Sequence, residues 1–554
     1  QNLGDVFGGS YYTEYLAYVG ALPLLLIVVW AFGAFVRHRA GTSPPYRPPA
    51  GHRPLFFVIL SGMGVFLALG LYNPLYFVLY KVVPGLSLFR VPARWLFLYG
   101  FGAAMLSGIA LQYVVGWVQK TLAPPRWLPT ALQLLALSIA AFELFYAASA
   151  LPFNHPLPPQ AFSSLRSTPA YILAAQNQAL APGRFLSMSD MLYDPGDLAD
   201  VQALLRHQLS PQELYDYIVS IKYKEIIAPN LPLAWQIYAI DGYGGGLLPL
   251  ARYTLLQQLF LDPEDILVDG RLREGLERIP PARLLSILNV AYVITDKVQD
   301  VWIDDIFYDL AFDTRLSGAD RAAIHQDALP NFQATGLGIV SYLEGASAIA
   351  DGTAVAEIDV TMQSGETQSY TLYAGRDTAE GAYSADVKHA QARIGRQTGE
   401  SPQRYDYIST LHWDTPAEIA SLVVRARPFD GAIHVRGLAL IDERDGSSVP
   451  LILSDRGHFS QVHSGDTKIY QVLDTLPRAF VVHNTHIIAG DRPALAALAD
   501  PDFDPSRQAI LAAGRALEAE PPAPSSATIT DYRPESVTIR ASFNAPAYSD
   551  LYTS

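Results

Sequence analysis

Apolar positions in this 554-residue chain are clustered at the start and spaced later. Over 15–36 no charged residue interrupts the run, which is long enough to cross roughly 30 Å of hydrocarbon. It stops at Arg37, His38 and Arg39. Similar runs follow over 54–72, 95–118 and 128–148, none with the polar face of a soluble amphipathic helix. Between the second and third lies LYNPLYFVLYKVVPGLSLFRVPARW (71–95), equally apolar but broken by Pro74, Pro84 and Pro92. The prolines predict a short interfacial or re-entrant helix over 73–94, with a turn at Pro84-Gly85.

Beyond residue 150 the pattern changes. From 151 to 330 it is mixed: TPAYILAAQ and DLADVQALLRHQL read as helices, KEIIAP and NVAYVITD as short buried strands. Ser210-Pro211 before QELYDYIVS carries a helix-start signature. From 331 to 475 the period is two. In AVAEIDVTM, Ala356, Ile358, Val360 and Met362 alternate with polar residues, and Ser364-Gly365-Glu366 leads into SYTLYAGR as a hairpin. Further strands (EIASLVVRARP, AIHVRGLALID, VPLILSD) predict a β-sandwich, jelly-roll-like. The remainder, 476–554, holds a Pro/Ala/Ser linker over 518–527 and an incomplete β element.

Charge divides the chain at the same place. The first 150 residues contain nine of the 39 Lys/Arg and three of the 53 Asp/Glu, leaving 30 basic and 50 acidic residues for the rest. A basic membrane part therefore precedes a strongly acidic part, which argues against nucleic acid as a partner. Mean hydropathy of +0.16 and 50% hydrophobic residues exceed what an ordinary soluble domain carries. The connector over 37–53 holds four Arg and no acid, so the positive-inside rule places it in the cytoplasm. Four spans then put the N-terminus, the 73–94 segment and everything after 150 outside. The competing pattern, four buried helices of a soluble core, does not account for basic loops between charge-free runs. The absence of cysteine excludes disulfides and thiolate metal sites. The chain begins at Gln1 without a secretory leader and ends inside a strand-like run, and reads as a fragment.

This topology leaves Lys81, Arg90 and Arg94 on the outer face, where the positive-inside rule does not call for them. A lipid phosphate or pyrophosphate would satisfy them, since guanidinium matches phosphate oxygens bidentately and lysine adds a point charge. Headgroup snorkelling and salt bridges to the acidic exterior are the competing accounts. Glu143 lies inside the fourth run, where a carboxylate calls for a partner, and by depth that partner is Arg94 or Arg90. The alternative to catalysis is an ion pair holding the fourth helix to the 71–95 stretch. Glu14, before the first span, is the other carboxylate placed near a membrane substrate, or is simply a solvated charge.

Other signals are weaker. Gly244, Gly245 and Gly246 lack nucleotide-loop spacing and read as a turn. Six Asp between 296 and 313 invite calcium, but the spacing is not an EF-hand's; an acidic, partly helical surface segment over Trp302, Ile306 and Phe307 is expected. Trp413 with Tyr405, Tyr407 and His412 could form a sugar-stacking face or belong to the core. His483 and His486 sit in a β-branched run, where i and i+3 face opposite ways, so no metal site is expected. No activated-serine motif occurs, and no cofactor is called for.

FRVPARWLFLYGFGAAMLSGIAL after LYNPLYFVLYKVVPGLSL, with DGYGGGLLPLARY, LNVAYVIT, LPRAFVV and DPDFDPSRQAIL in the same order, resembles the bacterial YfhO-type membrane protein family. The resemblance implies a GT-C-like glycosyltransferase of the plasma membrane, multi-pass, with its C-terminal region extracytoplasmic. It also implies a polyprenyl-phosphate sugar donor and a cell-envelope glycan acceptor, the donor phosphate being the anion for Lys81, Arg90 and Arg94. The family's catalytic carboxylate, in a first exterior loop, has no match in this sequence, which leaves Glu14 and Glu143 as weak candidates for the base. The rival expectation is a non-catalytic, membrane-anchored envelope protein whose β domain binds glycan or protein.

Overall fold

The computed structural model describes residues 17–41, 54–86, 91–149, 157–158, 160–240, 242, 250–267, 271–319, 323–327, 329–399, 403–518, 525–533 and 535–551. It divides into two compact units, Gln1–Pro156 and Leu157–Ser554.

The first unit is helical. Its principal helices are α1 (Ala21–Ala40), α2 (Pro54–Ala68), α3 (Pro74–Val82), α4 (Leu96–Leu122) and α5 (Leu128–Ser149). Pro92–Trp95 forms a 3-10 turn running into α4, and Asn73 caps α3 by accepting from the Leu75 amide. The prolines of the 71–95 stretch thus act as expected: Pro74 starts a helix and Pro92 starts a turn, each at a position that needs no amide donor. Two helical stretches, Pro92–Leu122 and Leu128–Ser149, are long and apolar enough to cross a membrane, and two shorter apolar ones, Ala21–Arg37 and Pro54–Ala68, accompany them. None of the apolar window of α5 is buried by protein. Phe142, Phe145 and Leu137 all project outward.

Small residues bring α2 and α4 together. A Cβ on Gly102 would lie 2.2 Å from Ser61 Oγ and 2.9 Å from the Phe57 carbonyl, and one on Gly64 would lie 2.6 Å from the Tyr99 amide. Close backbone approach of this kind is how helices pack where lipid removes the hydrophobic drive between them. Phe57, Leu106 and Ile109 form the buried cluster at this contact, with Ile27 and Trp30 of α1 against it.

The second unit is sheet-rich. A four-stranded sheet has the order Arg184–Ser187, Val290–Thr295, Lys468–Val472, Phe459–Ser464, its first pair parallel and the others antiparallel. Leu186, Val290, Val293, Phe459 and Tyr470 form its core. Helix Pro211–Glu225 starts at a full capping box between Ser210 and Glu213.

The larger sheet has nine strands, with the central order Ser447–Leu451, Ala432–Asp442, Gln333–Glu344, Arg404–Ala426, Ala354–Met362, Thr367–Tyr373. The 23-residue strand Arg404–Ala426 is shared: it pairs with Gln333–Glu344 as far as Glu418, with a register break between His412 and Ala417, and with Ala354–Met362 from Ile419 on. One strand serving two partners brings both halves around a common core that includes Leu337, Ile339, Ile358, Val360, Leu422 and Val424. The alternation in 354–362 emerges as a half-buried strand with Ala356, Ile358, Val360 and Met362 inward, paired in a hairpin with Thr367–Tyr373.

Two sequence expectations fail here. KEIIAP, read as a strand, is the end of helix Pro211–Glu225 and a turn with Ile227 at φ 46°. The acidic segment 296–313 is neither helical nor wholly at the surface. It is a β-hairpin of Asp300–Ile303 and Ile306–Asp309 turning at Asp304-Asp305, both at positive φ (52° and 62°). Aspartate tolerates that region better than most residues, so the Asp-Asp pair makes the turn. Trp302 is 69% exposed, while Asp300 and Asp309 point inward. Of the two accounts of the 405–413 aromatics, the core one holds for Trp413 and Tyr407. Trp413 is buried and donates Nε1–H to the Ala334 carbonyl at 2.6 Å, and Tyr407 is wholly buried under Ala379 and Ala392. Only His412 of that group is largely exposed, 3.2 Å from Glu443.

Candidate functional site

Glu143, the carboxylate within helix α5, has a definite task. Helix α1 begins at Ala21 after Gly20, whose φ of 98° and missing side chain leave the helix without a cap of its own. The Glu143 side chain from α5 supplies one: Oε1 accepts from the Ala21 amide at 2.5 Å, Oε2 from the Leu22 amide at 3.2 Å, and Tyr18 Oη donates to Oε1. A carboxylate at the positive end of a helix satisfies orphan amides and meets the macrodipole favourably. A Cβ on Gly20 would lie 3.4 Å from Oε2, so the glycine also makes room. Glu143 thus serves as a helix cap between α5 and α1, while the expected pairing with Arg90 lies outside the described residues. The sequence could not show the cap, because the donors are main-chain amides 122 and 121 residues away.

Of the basic trio, Lys81 lies exposed in the last turn of α3, its Nζ 5.8 Å from the Phe77 ring centroid. Arg94 is exposed on the 3-10 turn Pro92–Trp95, beside the buried Pro92 and Ala93. Arg90 and Glu14 lie outside the described residues, as do Gly244 to Gly246. Lys81 and Arg94 are thus held on two separate short elements flanking one proline-broken loop. Both side chains are exposed and are not folded into the unit's interior.

The second unit carries a cleft of about 610 Å³ lined by Arg283, Arg456, Asp455, Asp474, Asp504 and Ser506 among others. A smaller one of about 310 Å³ shares Pro281 and Arg456 with it. Arg456 Nη1 donates to the Ile279 carbonyl at 2.8 Å, which fixes the guanidinium in the shared wall. Gly457, at φ 114°, packs against Ala282 where any side chain would collide. Asp474 accepts from the His458 amide and ring, both at 2.8 Å. The wall of the larger cleft mixes these charged groups with apolar surface from Pro281, Leu476 and Pro505.

Three buried charge clusters went unseen in the sequence. Lys468, wholly buried, donates to Asp300 and, at 2.8 Å, to Asp309, whose other oxygen accepts from Tyr470 Oη. Arg166 joins Asp197 and Asp466, both at 2.7 Å, and Glu225 at 3.3 Å, the last also taking the Thr168 amide and hydroxyl. His434 has Nδ1 2.8 Å from Asp313 and Nε2 3.2 Å from Glu344, with the Tyr342 ring stacked 4.4 Å away. Their only signal is an isolated charge in an otherwise apolar strand, as at Lys468 in TKIYQVL. His483 is spent on the Pro546 carbonyl and Ser525 Oγ, each at 2.9 Å, and His486 lies in strand Asn484–Ile487.

No protein-family model, no curated protein and no solved structure matches the chain.

Proposed function

We propose that the chain is a membrane-embedded envelope protein that handles lipid-linked sugar, as the YfhO-type resemblance implies. The helical unit crosses the plasma membrane in four passes with the 37–53 loop in the cytoplasm. The sheet-rich unit, its nine-stranded part a β-sandwich, lies on the other side. The observation that carries the membrane assignment is α5: 22 residues, about 33 Å at 1.5 Å per residue, whose apolar window is left uncovered by protein. Such a surface needs lipid. Lys81 and Arg94, with Arg90, hold the phosphate of a polyprenyl-phosphate sugar. In a GT-C-like transfer the lysine and arginines stabilise the leaving lipid phosphate while a carboxylate activates the acceptor hydroxyl.

The test has two parts. Ser43→Cys and Ser364→Cys are labelled in intact cells with a membrane-impermeant thiol reagent; Ser364→Cys alone reacts on this proposal, and reaction of Ser43→Cys reverses the orientation. Binding of purified protein to vesicles containing a polyprenyl phosphate is then compared with Lys81→Ala/Arg94→Ala. Unchanged binding removes the phosphate site.

A second reading, a non-catalytic anchor whose outer unit binds glycan or protein, is favoured by the one described intramembrane carboxylate being used as a helix cap. Sugar-transfer activity in the purified full-length protein would decide against it.

A further inference from the structure

Two arginines in the sheet-rich unit are buried with no carboxylate partner among the described residues. Lys224 is buried likewise, but its Nζ is satisfied by the Gln160 and Ser164 carbonyls and the Ser164 hydroxyl, whereas one of these arginines keeps a buried nitrogen without a partner. Arg184 opens strand Arg184–Ser187 at 8% exposure and donates Nη1–H to the Leu288 carbonyl at 3.0 Å. Arg478 is 2% exposed; its Nε donates to the Pro182 carbonyl and its Nη1 to Tyr532 Oη, both at 2.9 Å. The Arg478 guanidinium lies 4.8 Å from the Tyr238 ring centroid and 5.3 Å from that of Tyr532. Its Nη2 is buried with no partner.

Lys468 and Arg166, the internal cations described above, each meet two or more carboxylates. Among the described residues, no carboxylate lies within 4.0 Å of either Arg184 or Arg478. The two also repel: burial, and next the neighbouring Arg478 charge, push Arg184 down to about 10. Ring faces and carbonyls compensate a buried guanidinium in part. They do not neutralise two, and a buried charge normally finds a counter-charge.

We propose that Arg184 and Arg478 form an oxyanion site that takes a single carboxylate or phosphate group, held by both guanidiniums and reached by the unpartnered Nη2 of Arg478. The planar donor fork of arginine fits two oxygens of such a group side by side. Tyr238 and Tyr532 give the site walls that exclude water and strengthen the pairing. Tyr532 lies in the hairpin of Ser526–Arg533 and Ser536–Ser542, so an anion here also ties that hairpin to the four-stranded sheet. The inference is independent of the glycosyltransferase proposal.

The experiment is hydrogen exchange on the full-length protein in nanodiscs, comparing inorganic phosphate, acetate and chloride at matched pH and ionic strength. Expected is a saturable, several-fold slowing of exchange in Arg184–Ser187 and Ala479–Val482 with phosphate or acetate and none with chloride. The more effective anion identifies the group. Arg184→Gln relieves the repulsion, so without added anion it exchanges no faster than wild type, and it loses the response. Arg184→Lys keeps the charge without the fork and responds more weakly. A wild type indifferent to both anions overturns the proposal. So does an Arg184→Gln protein that responds like wild type, or one that exchanges much faster than wild type without anion, which would make Arg184 a structural support.

Discussion

Replacing Lys468 by methionine removes a charge and keeps nearly the same volume, so what it measures is the buried ion cluster. The Lys468 and Asp309 side chains are 0% exposed and that of Asp300 is 9%. At the 2.8 Å separation from Asp309, one such pair attracts by about 6 kcal/mol at an effective dielectric of about 20. Desolvating the ions costs several kcal/mol each, so the cluster's net worth is small. Its breakage is not small. Methionine leaves Asp300 and Asp309 buried with Tyr470 as their one described donor from the cluster, and stranding a buried charge costs about 3–5 kcal/mol. That is roughly a thousandfold in the local opening constant at about 1.4 kcal/mol per decade. Because the chain has two units, whole-protein melting is not two-state. The suitable assay is hydrogen exchange in Val290–Thr295 and Lys468–Val472, which pair in the sheet. Burial already holds the Asp300 carboxyl above its ordinary value against the lowering charge of Lys468, so losing that charge raises it further and the deficit narrows as pH falls. Asp309→Asn added to Lys468→Met restores part of the loss, the coupling being read from the double-mutant cycle. A neutral-pH deficit below about 1 kcal/mol, the size of a surface ion pair, or one that stays constant on acidification, refutes the reasoning.

Other outcomes follow from the same geometry. Glu143→Ala frees the first amides of α1, so exchange at Ala21 and Leu22 in detergent-solubilised protein accelerates, while Glu143→Gln, which keeps one acceptor, gives a smaller change. Gly102→Val places a methyl against Ser61 and the Phe57 carbonyl; overpacking of about 1–3 kcal/mol should lower the thermal midpoint of the helical unit in detergent. Burial acts to raise the Asp313 carboxyl, but the hydrogen bond and charge of His434, with Arg436 beyond, hold it below its ordinary value. Its contribution is therefore present above the unfolded carboxylate value of about 3.9 and is lost as pH falls through the depressed folded value. In urea titrations at several pH values, His434→Gln should show its largest deficit near neutrality and converge with wild type in acid; a pH-independent deficit would mean packing against Tyr342 is all that His434 provides.

What could be read without the structure follows from the range of the forces involved. The α2 start at Pro54, the Pro74 helix, the Ser210–Glu213 capping box and the 354–373 hairpin depend on neighbours within a few residues, so spacing alone finds them. The Asp-rich segment misleads because charge count was taken for exposure. A strand's period of two sends Asp300 and Asp309 inward, but only a cation 159 to 168 residues later in the chain makes that tolerable. Glu143 misleads for a related reason: the search for its partner considered side-chain charges, whereas a helix end offers bare amides with partial positive charge and no residue-type signature. The same physics governs Trp413, whose indole N–H finds a main-chain acceptor inside the sheet and so can be core rather than a binding surface. In each case the hidden partner is either main chain or distant chain. The Arg184–Arg478 pair is the reverse situation: among the described residues neither kind of partner supplies a negative charge and one buried guanidinium nitrogen is left over, which is the ground for the external anion proposed above.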